Sequence, residues 1–273
     1  MDQLLAVGAQ VGALFFYVFL GFLGRRLQIL TTQGDKVISD LIFYFTMPAL
    51  TITSMNLRVS SQELTNAFLI LTASVLLVLL SYAMSILAAA PLRLPLKTNY
   101  ALRMTVAFGN VAYLGFPVAY ILLGQLGVFY AAMYALGHNI IFFTLGVWLM
   151  QDPHCHRGLK WREIFNINIL SIIAGLALWH WRLPPFISRP LDSLGQATIP
   201  LALLLVGSML AESPIRALAN KKIVYLIVAL RLIILPLLAL MTMSLLPGWD
   251  KNARLLIIMQ MAMPAAAIAP AIA

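Results

Sequence analysis

Asn110 and Gln260 are amides set among glycine and proline in otherwise apolar sequence. That combination suits a small polar solute held at mid-membrane depth. The first lies in Phe108-Gly109-Asn110-Val111-Ala112-Tyr113-Leu114-Gly115-Phe116-Pro117, the second in Gln260-Met261-Ala262-Met263-Pro264-Ala265-Ala266-Ala267-Ile268-Ala269-Pro270. Pro117 removes a backbone hydrogen bond and clashes with the carbonyl four residues back, and Gly109 and Gly115 favour unwinding. Freed backbone groups at that depth are tolerated only against protein or a water-filled cavity, so Asn110 is placed to offer its amide to a substrate. Pro264 and Pro270 interrupt the second stretch in the same way. Two broken helices crossing at their breaks would aim partly positive N-termini at one spot, which suits a carboxylate. The alternative is a pair of proline kinks that only shape packing.

Other residues carry weaker chemical signals. Arg231 is the only basic residue deep in an apolar stretch. An intramembrane charge costs about 2.5–3.5 kcal/mol or more and is a functional candidate by default. It would balance a bound anion, or else reach the cytoplasmic headgroups with its long stem. His138 is a candidate for coupling protons to transport, because imidazole titrates near neutral pH. Its neighbour Asn139 would bind substrate or make an interhelical hydrogen bond. No acidic residue lies deep in an apolar stretch, and Asp40 and Asp192 read as charges that complement helix N-termini. His154-Cys155-His156 lacks the ligand spacing of a zinc site, and Met259, Met261 and Met263 read as packing filler. An enzyme would need a nucleophile–base or metal pair at depth. None is evident, and no ATP-binding motif or cofactor is expected.

The elements that must hold these residues are apolar helices. The 273 residues are 62% hydrophobic and 10% charged, with mean hydropathy +0.94, which marks an integral membrane protein. The apolar runs are long and continuous, unlike the alternating segments of a membrane β-barrel. Nine runs approach the length needed to cross about 30 Å of hydrocarbon: Leu4–Leu23, Val37–Met55, Leu64–Ala90, Tyr100–Leu123, Val128–Met150, Ile164–Trp179, Leu191–Ala211, Ile223–Leu246 and Leu255–Ala273. Leu4–Leu23 is too long and unbroken for a cleaved signal peptide. The net charge of +9 comes from basic residues placed singly or in pairs between runs, which is topology and excludes a nucleic-acid patch. Twelve of the eighteen, among them Arg25, Arg26, Arg157, Lys160, Lys221 and Lys222, fall on one side and five on the other. The positive-inside rule then puts the N-terminus outside and the Cys155 loop in the cytoplasm of a cell-membrane protein.

The chain also repeats itself. Asp40, Thr46 and Pro48 recur 152 residues later as Asp192, Thr198 and Pro200, Gly21 and Gly175 are 154 apart, and Pro117 and Pro270 are 153 apart. Thr46 and Thr198 are thereby candidates for ion coupling, and Pro48, Pro200 and Pro270 for breaking helices at matched positions. Five spans per copy is odd, so the second copy must be inverted, and broken helices in matching positions point to a transporter's binding site. The copies run over 1–150 and 164–273, joined by a cytoplasmic loop at 151–163. The tenth helix expected on this logic would lie beyond Ala273.

Three segments carry a resemblance to a known family: Phe43-Tyr44-Phe45-Thr46-Met47-Pro48-Ala49-Leu50; Gly109-Asn110 with Leu114-Gly115-Phe116-Pro117; and Leu230-Arg231-Leu232-Ile233-Ile234-Leu235-Pro236-Leu237-Leu238. In this order they make the chain resemble the auxin efflux carrier family, which includes bacterial malate and malonate permeases. The resemblance implies an all-α membrane fold similar to bile-acid/sodium symporters, with two inverted five-helix repeats and crossed broken helices four and nine. It further implies a scaffold of helices one, two, six and seven beside a mobile core of helices three, four, five, eight and nine. The family's crossover asparagine maps onto Asn110 and its crossover prolines onto Pro117 and Pro264. The implied activity is secondary transport of a small mono- or dicarboxylate, such as malate, malonate or an auxin-like acid. The implied partners are that substrate, the lipid bilayer, a coupling proton or sodium ion, and a second copy of the chain in a homodimer. An ion exchanger or channel, or a ligand sensor on a transporter fold, is the competing reading.

Overall fold

The computed structural model describes residues 2–57, 59–146, 165–179, 181, 183–213, 221–245 and 248–265. Among these, every regular element is a helix. They run α1 (Asp2–Arg26), α2 (Thr32–Leu41), α3 (Met47–Met55), α4 (Ser61–Ala89), α5 (Leu96–Ala107), α6 (Gly115–Ile141), α7 (Ile167–Ala177), α8 (Pro185–Gln196), α9 (Thr198–Glu212), α10 (Lys222–Ala229), α11 (Leu235–Leu245) and α12 (Lys251–Met261). Among the described residues, five helical stretches are long and apolar enough to cross a membrane: Thr32–Met55, Ser61–Leu92, Gly115–Gly146, Pro185–Glu212 and Lys222–Leu245. The last of these is the most apolar. α6 turns sharply at Gly124 (φ 62°, ψ −146°), a left-handed position that only glycine adopts freely, so it is two helices in sequence.

Prolines are absorbed differently from the sequence expectation. Pro48 does not break its helix. It follows a π turn, Ile42–Thr46, in which the Met47 N–H reaches the Ile42 carbonyl, and the helical stretch runs on to Met55. The wider turn relieves the clash between the ring and the preceding carbonyls. Pro236 follows a second such turn, Leu230–Ile234, closed by the Leu235 N–H on the Leu230 carbonyl. Pro200 lies in the first turn of α9, directly after the interruption at Ala197 that separates α8 from α9, and its missing N–H falls opposite the last residue of α8. Pro270 lies outside the described residues.

The helices gather into two compact units. The first comprises Met1–Val59, Ala112–Ala132 and Ile167–Ile215. In it α1 and α9 approach through glycines. A Cβ on Gly21 would fall on the Leu204 backbone, and one on Gly207 on the Val18 carbonyl and the Phe22 nitrogen. Small residues permit this close approach of membrane helices. Gly207→Val is therefore expected to force the pair apart and lower the thermal unfolding midpoint in detergent by several degrees, at about 1–3 kcal/mol for overpacking; an unchanged midpoint would refute the contact. Ile42, Met47, Ala202 and Leu205 form the adjoining core. At one edge, Arg25 bridges Asp35 (3.5 Å) and Glu212 (2.7 Å), and Ser208 donates to Asp35 at 2.8 Å.

Asp40 and Asp192 are not N-terminal charges. Asp40 is exposed in the last turn of α2, and it is Asp35 that occupies the first turn. Asp192 lies within α8, where Gln125 and Gln196 donate to its two oxygens at 3.1 and 2.8 Å.

The second unit comprises Ser60–Val111, Met133–Asn166 and Arg216–Ala273. α4 opens it with a reciprocal cap: the Glu63 N–H donates to the Ser60 hydroxyl and the Ser60 N–H donates to the Glu63 carboxylate. Val78, Met104, Ala107 and Phe108 form its core, with Tyr82, Tyr100, Ile141, Phe142 and Leu145 packed around it. Gly137 sits against the Ser74 hydroxyl and the Leu71 carbonyl, bringing α4 and the second part of α6 into contact.

Candidate functional site

Two helices of the second unit stop short inside it, and their loose ends pair. α5 ends at Ala107, and Phe108 continues in extended conformation (φ −109°, ψ 111°). α12 ends at Met261. Beyond these ends Gly109 and Ala265 form an antiparallel bridge, and the Asn110 N–H donates to the Pro264 carbonyl at 2.7 Å. The unwinding is thus partly repaired by two short extended segments that satisfy one another, which is what burial of freed backbone requires.

Arg231 completes the crossover. It lies on the π turn Leu230–Ile234 and is 3% exposed. Its Nε donates to the Met263 carbonyl at 2.9 Å and its Nη1 to the Val106 carbonyl at 3.0 Å. These are carbonyls at the C-terminal ends of α12 and α5, which a continuous helix would have used. The side chain does not snorkel. Its cation lies where two helix dipoles end negative, a favourable pairing. The ends gathered around it are therefore carboxyl ends rather than the N-termini expected from sequence, and the positive character of the site comes from the guanidinium. Gly109 is part of the fit, since a Cβ there would overlap Arg231 Nη2.

Aromatic and amide side chains surround this knot. Phe108 meets the His138 ring edge-on at 5.5 Å between centroids, and Tyr134 stacks on His138 at 6.5 Å. The Tyr134 hydroxyl donates to the Met261 sulfur at 3.3 Å. His138 Nδ1 lies 3.4 Å from Asn139 Oδ1, and among the described residues its Nε2 has no partner. Gln260 is 0% exposed, and among the described residues neither of its amide atoms has a partner.

A family model described as membrane transport protein matches residues 7–159 and 154–273. The chain belongs to this family, the auxin efflux carriers. Among relatives, a provisionally named malonate transporter of Rhizobium meliloti (strain 1021) is 30% identical over 251 residues, covering 86% of this chain and 76% of that one. An uncharacterised transporter of Methanocaldococcus jannaschii is 25% identical, over 73% of this chain and 67% of its own. One of Methanothermobacter thermautotrophicus is 26% identical, over 81% and 73%.

Of the candidates this transporter's sequence offers, the structure brings Gly109, Asn110, Pro264 and Arg231 into one knot. His138 lies beside Phe108, with Asn139 at its Nδ1, and Gln260, one helical turn before Pro264, belongs to the same unit. Gly115 and Pro117 open α6 and belong to the first unit, as do Thr46 and Thr198, whose buried hydroxyls have no partner among the described residues. His154-Cys155-His156 lies outside the described residues. Sequence reasoning missed Tyr134, Phe108 and the backbone roles of Val106 and Met263. Met261, read as filler, is the acceptor for Tyr134. The one available signal was spacing, since Tyr134 and His138 are four apart and share a helix face.

Proposed function

We propose that this chain is a secondary transporter of a small organic anion, a mono- or dicarboxylate, working by alternating access across the cell membrane. The observation that carries the reading is a buried cation, Arg231, tied to the paired segments that follow the ends of α5 and α12. Family membership supports a transported solute, and the name of the Rhizobium relative supports a malonate-like carboxylate. Asn110 presents its amide at the crossover, and Arg231 supplies the field that holds the anion. In this reading the chain forms inverted repeats with its N-terminus outside and the Cys155 loop in the cytoplasm, and His138 is the candidate for proton coupling.

The test is uptake of labelled malonate into proteoliposomes. Saturable uptake that other carboxylates compete away is expected, and sodium or pH gradients imposed in turn then identify the driving ion. Asn110→Ala is expected to raise the KM about tenfold or more without loss of folding, as one hydrogen bond to a charged group is removed. A folded protein with no saturable uptake of any carboxylate would refute the reading, and unchanged kinetics in Asn110→Ala would remove that residue from the site.

A further inference from the structure

We propose that Gln260 is a specificity residue that pairs with an uncharged donor–acceptor group on the substrate, so that the species carried is a monoanion with one neutral polar end. The proposal rests on the crossover being a carboxylate site. A buried polar group almost always has a partner, and one that lacks it marks a ligand, a water or strain. Gln260 is wholly buried in the last turn of α12, yet among the described residues Nε2 and Oε1 are both unpartnered. Serines and threonines elsewhere in the unit behave otherwise: Ser74, Ser81, Ser85 and Thr105 all bond back to helix carbonyls. Gln260 also adjoins Met261, which takes the Tyr134 hydroxyl, and Tyr134 stacks on His138, whose Nε2 is likewise buried and unpartnered.

The chemistry of the amide selects the ligand. Nε2 donates and Oε1 accepts. An ionised carboxylate offers acceptors only, so it would satisfy Nε2 and set negative charge against Oε1. A carboxylic acid or a primary amide offers one donor and one acceptor, and closes a two-bond ring with the glutamine. The charged end of the same molecule belongs with Arg231. Among the described residues, the charged and titratable groups placed at the crossover are Arg231, His138 and Tyr134. The described acids of the unit, Glu63 and Asp250, cap α4 and α12. A dicarboxylate would then enter with the proton already on its second end, and the pH dependence of competition separates this from proton supply by His138.

Competition against labelled malonate uptake in proteoliposomes tests this, with malonamate, malonate and propionate as probes between about pH 5.5 and 8. Malonamate keeps one charge and one neutral amide throughout, and its inhibition constant is expected to stay level. That of malonate is expected to rise about tenfold per pH unit above its second ionisation, following its monoanion. Titration of His138 would move both probes alike. Propionate, which has no second polar group, is expected to compete at least about tenfold less well than malonamate. In Gln260→Met this preference disappears, while the unfolding midpoint stays level or rises because no partner within the chain is lost. Propionate equal to malonamate, malonate insensitive to pH, or a preference that survives in Gln260→Met would each overturn the proposal and leave the carboxylate site standing. A folded protein without saturable malonate uptake would overturn both.

Discussion

Arg231→Leu is expected to abolish carboxylate uptake and to lower the unfolding midpoint in detergent. The substitution leaves the Val106 and Met263 carbonyls without donors at the ends of α5 and α12. Each orphaned buried carbonyl costs about 1–3 kcal/mol. Removing a costly buried charge returns part of this, so a net loss of about 2–4 kcal/mol remains. Function should suffer more than stability, because the same side chain supplies the charge. Arg231→Lys separates the two effects: it keeps the cation, loses the planar fork that reaches two carbonyls at once, and should retain measurable uptake at a raised KM. Wild-type uptake and midpoint in the leucine variant would show that the crossover holds together, and binds, without the guanidinium.

Gly109→Ala, the smallest substitution available, should approach that effect. The added carbon overlaps Arg231 Nη2, and an arginine held by two hydrogen bonds cannot swing aside without breaking at least one. The expected cost is about 1–3 kcal/mol, with most of the uptake lost. The two sites share one mechanism, so the double variant with Arg231→Leu should cost clearly less than the sum of the singles. Additive losses in midpoint would mean that Gly109 serves some other purpose, such as the bridge to Ala265.

The helical membrane character and the family were legible in the sequence, because apolar length and the runs around Pro48, Pro117 and Pro236 are local properties. So was the peculiarity of Gly109-Asn110 and of Arg231. Their association was not, since it depends on residues 125 positions apart, Val106 and Arg231, meeting through backbone atoms. Side-chain identity says nothing of which carbonyl is free. The fate of Pro48 was hidden for a related reason. A π turn changes hydrogen-bond registry without needing a particular residue, so proline looked like a break where the chain had made room for it. Asp40 was misjudged because the start of α2 is set by Thr31, whose side chain accepts from the Gly34 N–H, six residues before the apolar run begins at Val37.

Among the described residues of the second unit, Arg231 is the one ionised side chain that is buried. A site of this kind carries a single fixed positive charge when empty and no net charge once a monoanion is bound. A membrane voltage of 100 mV does about 2.3 kcal/mol of work on each elementary charge that crosses it. The loaded site would cross almost without feeling the field, and the empty return would feel it fully. Voltage would then set the rate of resetting and leave the loaded crossing nearly untouched, so the protein would be electrogenic through its own arginine.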